Sequence, residues 1–141
     1  MKVLITGAGG FLGKAVTTQL LQQGQLLVDG QLQQITALLL VDHQTVSVDP
    51  ATNPHELNIE TKRVDLAEPS PVQEMMLFKP DMIFHFAAAL TIAAERDDEL
   101  AYRINIACLH HIIQNASPKL DWSLLARLQS LAMNLPGVLT T

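Results

Sequence analysis

Four glycines in seven positions, set directly behind a short apolar run, restrict this chain more than any other feature. Val3, Leu4 and Ile5 lead through Thr6 into Gly7-Ala8-Gly9-Gly10-Phe11-Leu12-Gly13. Residues 11–23 then place Leu12, Val16, Leu20 and Leu21 along one side of a helix. A strand, a glycine loop and a helix in this order can cradle a pyrophosphate. Backbone N–H groups and the positive helix end meet the anion, and no side chain stands in its way. The spacing is G-x-x-G-x-x-G, read at Gly7, Gly10 and Gly13, because Leu12 stands where G-x-G-x-x-G would put its last glycine. Gly7 is expected to turn the chain out of the strand, Gly10 to admit the phosphates, and Gly13 to let the helix lie close on the sheet. Phe11 and Leu12, the first helical residues, belong to the same expected cofactor contact.

The rest of the chain alternates in the same way. Residues 36–41, 62–65 and 81–86 read as strands, and 72–78 and 97–115 as helices. Pro69 and Pro71 suit the start of the first of these helices, and Ser117-Pro118 the end of the second. Strands alternating with helices predict an α/β protein: a three-layer partial Rossmann fold whose parallel sheet has strand order 3-2-1-4. The link over 24–35 is long and contains Asp29-Gly30, a turn signal for a small hairpin. Past it, Asp42 ends the second strand. A carboxylate there can accept both hydroxyls of an adenine ribose and would repel a 2′-phosphate. No Lys or Arg follows it closely, so NAD is expected over NADP.

Charge and composition remove several alternatives. A formal net charge of −5 and the lack of any Lys/Arg block argue against nucleic acid or an acidic membrane as partner. No run approaches the roughly 20 apolar residues that span a bilayer. Cys108 is the single cysteine, which excludes an internal disulfide and fits a reducing, cytoplasmic setting. It sits among Ile104, Leu109 and Ile112 and reads as a small core residue. His110-His111 has no partner at a metal-ligand spacing, and no metal site is expected.

With these residues in place, the chain resembles the extended short-chain dehydrogenases, the NAD-dependent epimerase/dehydratase family. The segment from Thr6 to Gly13 resembles the family's glycine loop. Asp65-Leu66 resembles the pair that meets the adenine, and His85-Phe86-Ala87-Ala88-Ala89 resembles the strand-four signature beside the cofactor. Asn105 resembles the helix asparagine that braces the active site. The resemblance covers residues 1 to about 116. It implies NAD as cofactor, held by Gly7, Gly10, Phe11, Leu12, Gly13, Asp42, Asp65, Leu66, Ala87, Ala88, Ala89 and Asn105. The insertion at Val28-Asp29-Gly30-Gln31, the strand ending in Asp42, and the stretch from Glu95 to Arg103 resemble a branch that oxidises a 2-hydroxy sugar acid.

Two departures limit what the resemblance implies. Family chemistry uses a tyrosine base with a lysine four positions on. Here the single tyrosine, Tyr102, is followed at that distance by Ile106. No catalytic residue is assigned, and the chain is expected to bind a dinucleotide without turnover. Residues 117–141 also diverge, reading as helix where a fifth strand and a serine turn belong. One permitted back-translation, started at the last base of the Trp122 codon, gives V-F-T-S-S-L-A-V-F-G, which resembles that strand and turn. The expectation is a frameshift that shortened a longer enzyme. The alternative is a short NAD-sensing or scaffold protein whose last helix covers the sheet. The DNA just downstream separates the two. The fourth strand's open edge would permit self-association or pairing with a separate chain.

Overall fold

The structure is a computed structural model and describes residues 1–88, 97–118 and 120. A four-stranded parallel sheet is built from β1 (Lys2–Thr6), β4 (Ala37–Asp42), β5 (Asn58–Arg63) and β6 (Met82–His85), in the order β5-β4-β1-β6. A separate antiparallel hairpin of β2 (Gln25–Val28) and β3 (Gln31–Gln34) lies between helix α1 (Phe11–Gln23) and β4. With the hairpin set aside, the sheet order is the expected 3-2-1-4. The hairpin turn is Asp29-Gly30, both with positive φ (50° and 77°), the geometry that a tight two-residue connection requires.

β1 and β4 are central strands, and their apolar residues are buried on both faces. Leu38, Leu40, Val3 and Ile5 meet Leu20 and Leu21 of α1 in one core. Leu4, Leu39 and Val41 meet Val72, Met75 and Met76 of α2 (Pro69–Met76) in the other. Cys108 and Ile112 close that second core from α4 (Cys108–Asn115). Helices thus cover both faces, giving the three layers. Burial pushes the Cys108 thiol up to about 11, so it stays protonated and unreactive in the core.

The third expected strand is shifted. It was read at 62–65 and lies at Asn58–Arg63. β5 is an edge strand whose residues are mostly exposed, so its polar sequence lacks the apolar run of a buried strand. The helix expected over 97–115 is also not uniform. α3 (Asp98–Tyr102) begins at Asp97, whose carboxylate accepts the Leu100 N–H at 3.0 Å. A wider π segment, Arg103–Ala107, then joins α3 to α4. Ala89, Glu95 and Arg96 lie outside the described residues, as does all but Leu120 of the stretch from 119 to 141, including the expected tail helix. No helix among the described residues is long and apolar enough to cross a membrane.

Candidate functional site

The tips of β1, β4, β5 and β6 point the same way, because all four strands are parallel. The glycine loop leaves β1 at this edge and enters α1. Its glycines answer to different constraints. Gly7 has φ 67°, and a Cβ there would lie 2.7 Å from the backbone of Phe86 and Ala87. It makes the turn out of the strand and lets β6 approach. At Gly13 a Cβ would come 2.1 Å from the Gly7 carbonyl. The expected close approach is therefore of the helix to its own loop. Gly10 differs from both: its φ is −78° and its ψ 175°, open to any residue, and a Cβ would touch only the Gly7 carbonyl, at 3.3 Å. The fold hardly requires glycine there, whereas an anion approaching the backbone does.

Gly10 caps α1 without any side-chain hydrogen bond. The first N–H groups of the helix face outward at the positive end of its dipole. Phe11 is 81% exposed and Leu12 lies at the surface, outside the core that takes Leu20 and Leu21. An exposed phenylalanine at a helix start does nothing for the fold and offers an apolar surface to a ligand.

Asp42 is buried at the end of β4, and its carboxylate is held from three directions. Oδ2 accepts the Gly9 N–H at 2.9 Å, and Oδ1 accepts the Gln44 N–H at 3.2 Å. His43 Nδ1 lies 2.9 Å from Oδ1, on a largely exposed ring. Each carboxylate oxygen has two acceptor positions, so one stays open on Oδ2. Engagement of both ribose hydroxyls, as read from sequence, requires the His43 ring to swing away from Oδ1. Sequence reasoning did not single out Gly9. A Cβ at Gly9 would press to 3.1 Å against Oδ2, so the surplus glycine in the loop was the available signal.

Beside Asp42, Asp65 is exposed and uses Oδ1 to accept the Ala67 N–H at 3.0 Å, an Asx turn. The Leu66 side chain is buried in the second core, so its backbone is what it can offer an adenine. At the β6 tip, Thr6 Oγ1 and His85 Nδ1 are 2.6 Å apart, and Ala87 N–H points at the same hydroxyl at 3.5 Å. The hydroxyl accepts from Ala87 and shares a hydrogen bond with Nδ1, which leaves Nε2 as the ring's other nitrogen. That nitrogen is buried with no hydrogen-bond partner among the described residues, and burial lowers the His85 pKa. A neutral histidine tying two strand tips together is positioned as a structural group. Ala87 is half-buried and Ala88 exposed. Asn105 lies exposed in the π segment, a local irregularity often found at functional sites. Arg103, in the same segment, pairs with Glu99 at 2.6 Å and with Glu68 at 3.7 Å, tying this helix to the start of α2.

The residues fit a dinucleotide: a glycine cradle open above Gly10, an uncapped helix start, and a fixed carboxylate at the neighbouring strand tip. Together with the parallel sheet they define a Rossmann dinucleotide-binding unit. The pattern of the NAD dependent epimerase/dehydratase family matches residues 3–119, and the chain belongs to that family. It is 31% identical over 114 residues to D-erythronate dehydrogenase of Haemophilus influenzae, covering 81% of this chain and 33% of that protein. It is 36% identical over 109 residues to D-erythronate dehydrogenase of Cupriavidus necator, covering 75% and 31%. The chain thus spans about a third of these relatives' length. Among solved structures, a nucleoside-diphosphate-sugar epimerase from Agrobacterium tumefaciens superposes with TM-score 0.67 at 26% identity, over 82% of this chain and 32% of that one. A mutant uronate dehydrogenase from the same organism, complexed with NAD, gives 0.57 at 25% identity, over 81% and 35%.

Proposed function

We propose that residues 1–116 are the NAD-binding half of a dehydrogenase that oxidises a 2-hydroxy sugar acid such as D-erythronate. Residues 117–141 form a divergent tail, and the 141-residue chain binds NAD without turnover. The observation that carries this reading is the contrast within the loop. Gly7 and Gly13 are required by the protein's own backbone, while a Cβ at Gly10 would meet only the Gly7 carbonyl, at 3.3 Å, which leaves room for a group approaching the backbone. The two similar D-erythronate dehydrogenases support the substrate class. On this chain's own residues, Gly7, Gly10 and Gly13 receive the pyrophosphate, Asp42 the adenine ribose, and Asp65-Leu66 the adenine. Ala87 and Ala88 line the far end, and Asn105 braces it. NAD, when bound, supplies a hydride acceptor. The tyrosine-lysine pair that would take the proton from a substrate hydroxyl is missing from the sequence, since Tyr102 has Ile106 four residues on.

Calorimetric titration of the purified chain tests the binding claim, with NAD expected to bind more tightly than NADP. Similar curves for the two would remove Asp42 from the ribose. Incubation with NAD and D-erythronate is expected to yield no NADH, and turnover above trace contamination would refute the inactive assignment. β6 pairs with β1 alone among the described residues. Its outer edge supports self-association, to be read by light scattering across protein concentration.

A further inference from the structure

The hairpin presents an apolar face that the core does not use. Its strands pair Gln25 with Gln34, Leu26 with Gln33, Leu27 with Leu32, and Val28 with Gln31. Side chains alternate along a strand, and Leu26 and Val28 pack against the α1 core. Gln25, Leu27, Leu32 and Gln34 therefore share the opposite face. The Gln34 side-chain amide donates to Gln25 Oε1 at 3.0 Å, as residues on one face can. Leu27 is 64% exposed and its partner Leu32 63% among the described residues. Val28 and Gln31 flank a two-residue turn, which makes them the hydrogen-bonded closing pair. Leu27 and Leu32 are then the adjacent non-hydrogen-bonded pair, where side chains stand closest. The two leucines form one continuous apolar patch beside a bonded pair of amides.

The patch is held on a fixed base. The Met1 ammonium donates to the Gln34 carbonyl at 2.9 Å, and the Thr36 N–H donates to the Met1 carbonyl at 2.9 Å. The hairpin thus joins the sheet where the strands begin, at the pairing of Lys2 with Ala37. The candidate dinucleotide site lies at their other end.

Charge indicates what fits this face. Residues 24–36 carry a single charge, Asp29 in the turn, within a chain of net charge −5. A charged partner would find nothing on the face to pair with. Two copies of an acidic chain repel each other, and a neutral apolar face is where they meet at least cost. Glutamine amides carry both donors and an acceptor, so Gln25 and Gln34 can bond their own counterparts across a two-fold axis. Identical charges could not.

We propose that two copies of the chain associate through this face, hairpin on hairpin about a two-fold axis, with Leu27 and Leu32 of each copy against those of the other. A stable dimer buries about 800 Å² per partner, more than four side chains of a short hairpin offer, so the contact is weak and concentration-dependent. It is separate from the outer edge of β6, which offers backbone groups rather than side chains.

Sedimentation velocity of the 141-residue chain, from about 10 μM to about 1 mM, tests the pairing. A monomer–dimer equilibrium is expected in that range. Leu27→Glu/Leu32→Glu and Leu27→Lys/Leu32→Lys should each be monomeric throughout, by like-charge repulsion across the axis. Mixed in equal amounts at low salt, the two should associate again, because an acidic face then meets a basic one. An unmutated chain that stays monomeric overturns the proposal. So does association that the substitutions leave unchanged, which would place the contact elsewhere, and so does a mixture that stays monomeric. Should a charged variant fail to fold by circular dichroism, Leu27→Thr/Leu32→Thr decides, since threonine suits a strand and carries no charge. It should weaken the dimer by at least about tenfold, and an unchanged equilibrium overturns the pairing.

Discussion

The two ends of the proposed dinucleotide site are built differently. At the proposed adenosine end, Asp42 is held by two backbone N–H groups and a histidine. At the β6 end, contact is mostly backbone against backbone, with Gly7 on Phe86 and Ala87 and a single short bond from Thr6 to His85. The first arrangement can discriminate between ligands, because a preset carboxylate responds to charge. The second only sets position. Recognition of a nucleotide and chemistry on a substrate are separable in this arrangement, and the proposal gives these residues the recognition.

The comparison can be broken most severely at Gly7. Gly7→Ala forces a side chain into a left-handed conformation and against the β6 backbone. The conformation costs about 1–2 kcal/mol and the overlap about 1–3 kcal/mol more. Against a net stability of about 5–15 kcal/mol, denaturant unfolding should show a large drop in midpoint or no folded baseline. A midpoint unchanged by Gly7→Ala would mean that the β6 tip is not seated on the loop.

Gly10→Val sharpens the same contrast from the ligand side. Its backbone angles suit valine and its one close contact is mild, so circular dichroism should be nearly unchanged. NAD affinity should fall by at least about tenfold, or about 1.4 kcal/mol. A folded variant with full affinity would show that no phosphate approaches Gly10.

His85 gives an intermediate effect with a defined pH sign. Burial lowers its pKa below the ordinary 6.5, so the unfolded chain binds a proton that the folded chain refuses. Its contribution to stability is present above about pH 6.5 and is lost as the pH falls from there toward the lowered folded value. Urea melts across that range should show stability falling with acidification, by at most about 1.4 kcal/mol per pH unit from this group. His85→Gln should flatten that slope. Thr6→Val at neutral pH should cost about 1–3 kcal/mol by leaving the buried ring without its partner. A slope unchanged by His85→Gln would show the ring to be hydrated in the folded state. The smallest effect belongs to Phe11→Ala. At 81% exposure it should alter stability by less than about 0.5 kcal/mol while weakening NAD several-fold.

Much of this was legible beforehand, and the reasons are physical. The loop, α1 and the order of the parallel strands follow from buried apolar runs and glycine positions, which are local signals. Asp29-Gly30 announced the hairpin for the same reason. β5 was misplaced because an edge strand buries little and its polar residues carry no period. The π segment around Asn105 has no signature of its own in residues that otherwise suit a helix. The Gly9 bond to Asp42 and the Arg63 bond to the His43 carbonyl escaped because both join residues far apart in the chain. Arg63 reaches the β4 tip only through strand register, from far along the chain.

The hairpin has a use that its place in the fold makes available. Its base is closed by the Ile35 N–H bonding to the Gly24 carbonyl at 2.9 Å, and Gly24 N–H in turn bonds to the Leu20 carbonyl at 2.8 Å. The excursion leaves and rejoins the domain at almost one point, and although Leu26 and Val28 pack against the α1 core, a Cβ at Gly30 would meet nothing within 4 Å among the described residues, so the turn itself is open. Asp29-Gly30 is therefore a graft site. A reporter domain or an affinity tag spliced there would ride outside the sheet, leaving the register that brings Asp42 to Gly9 undisturbed.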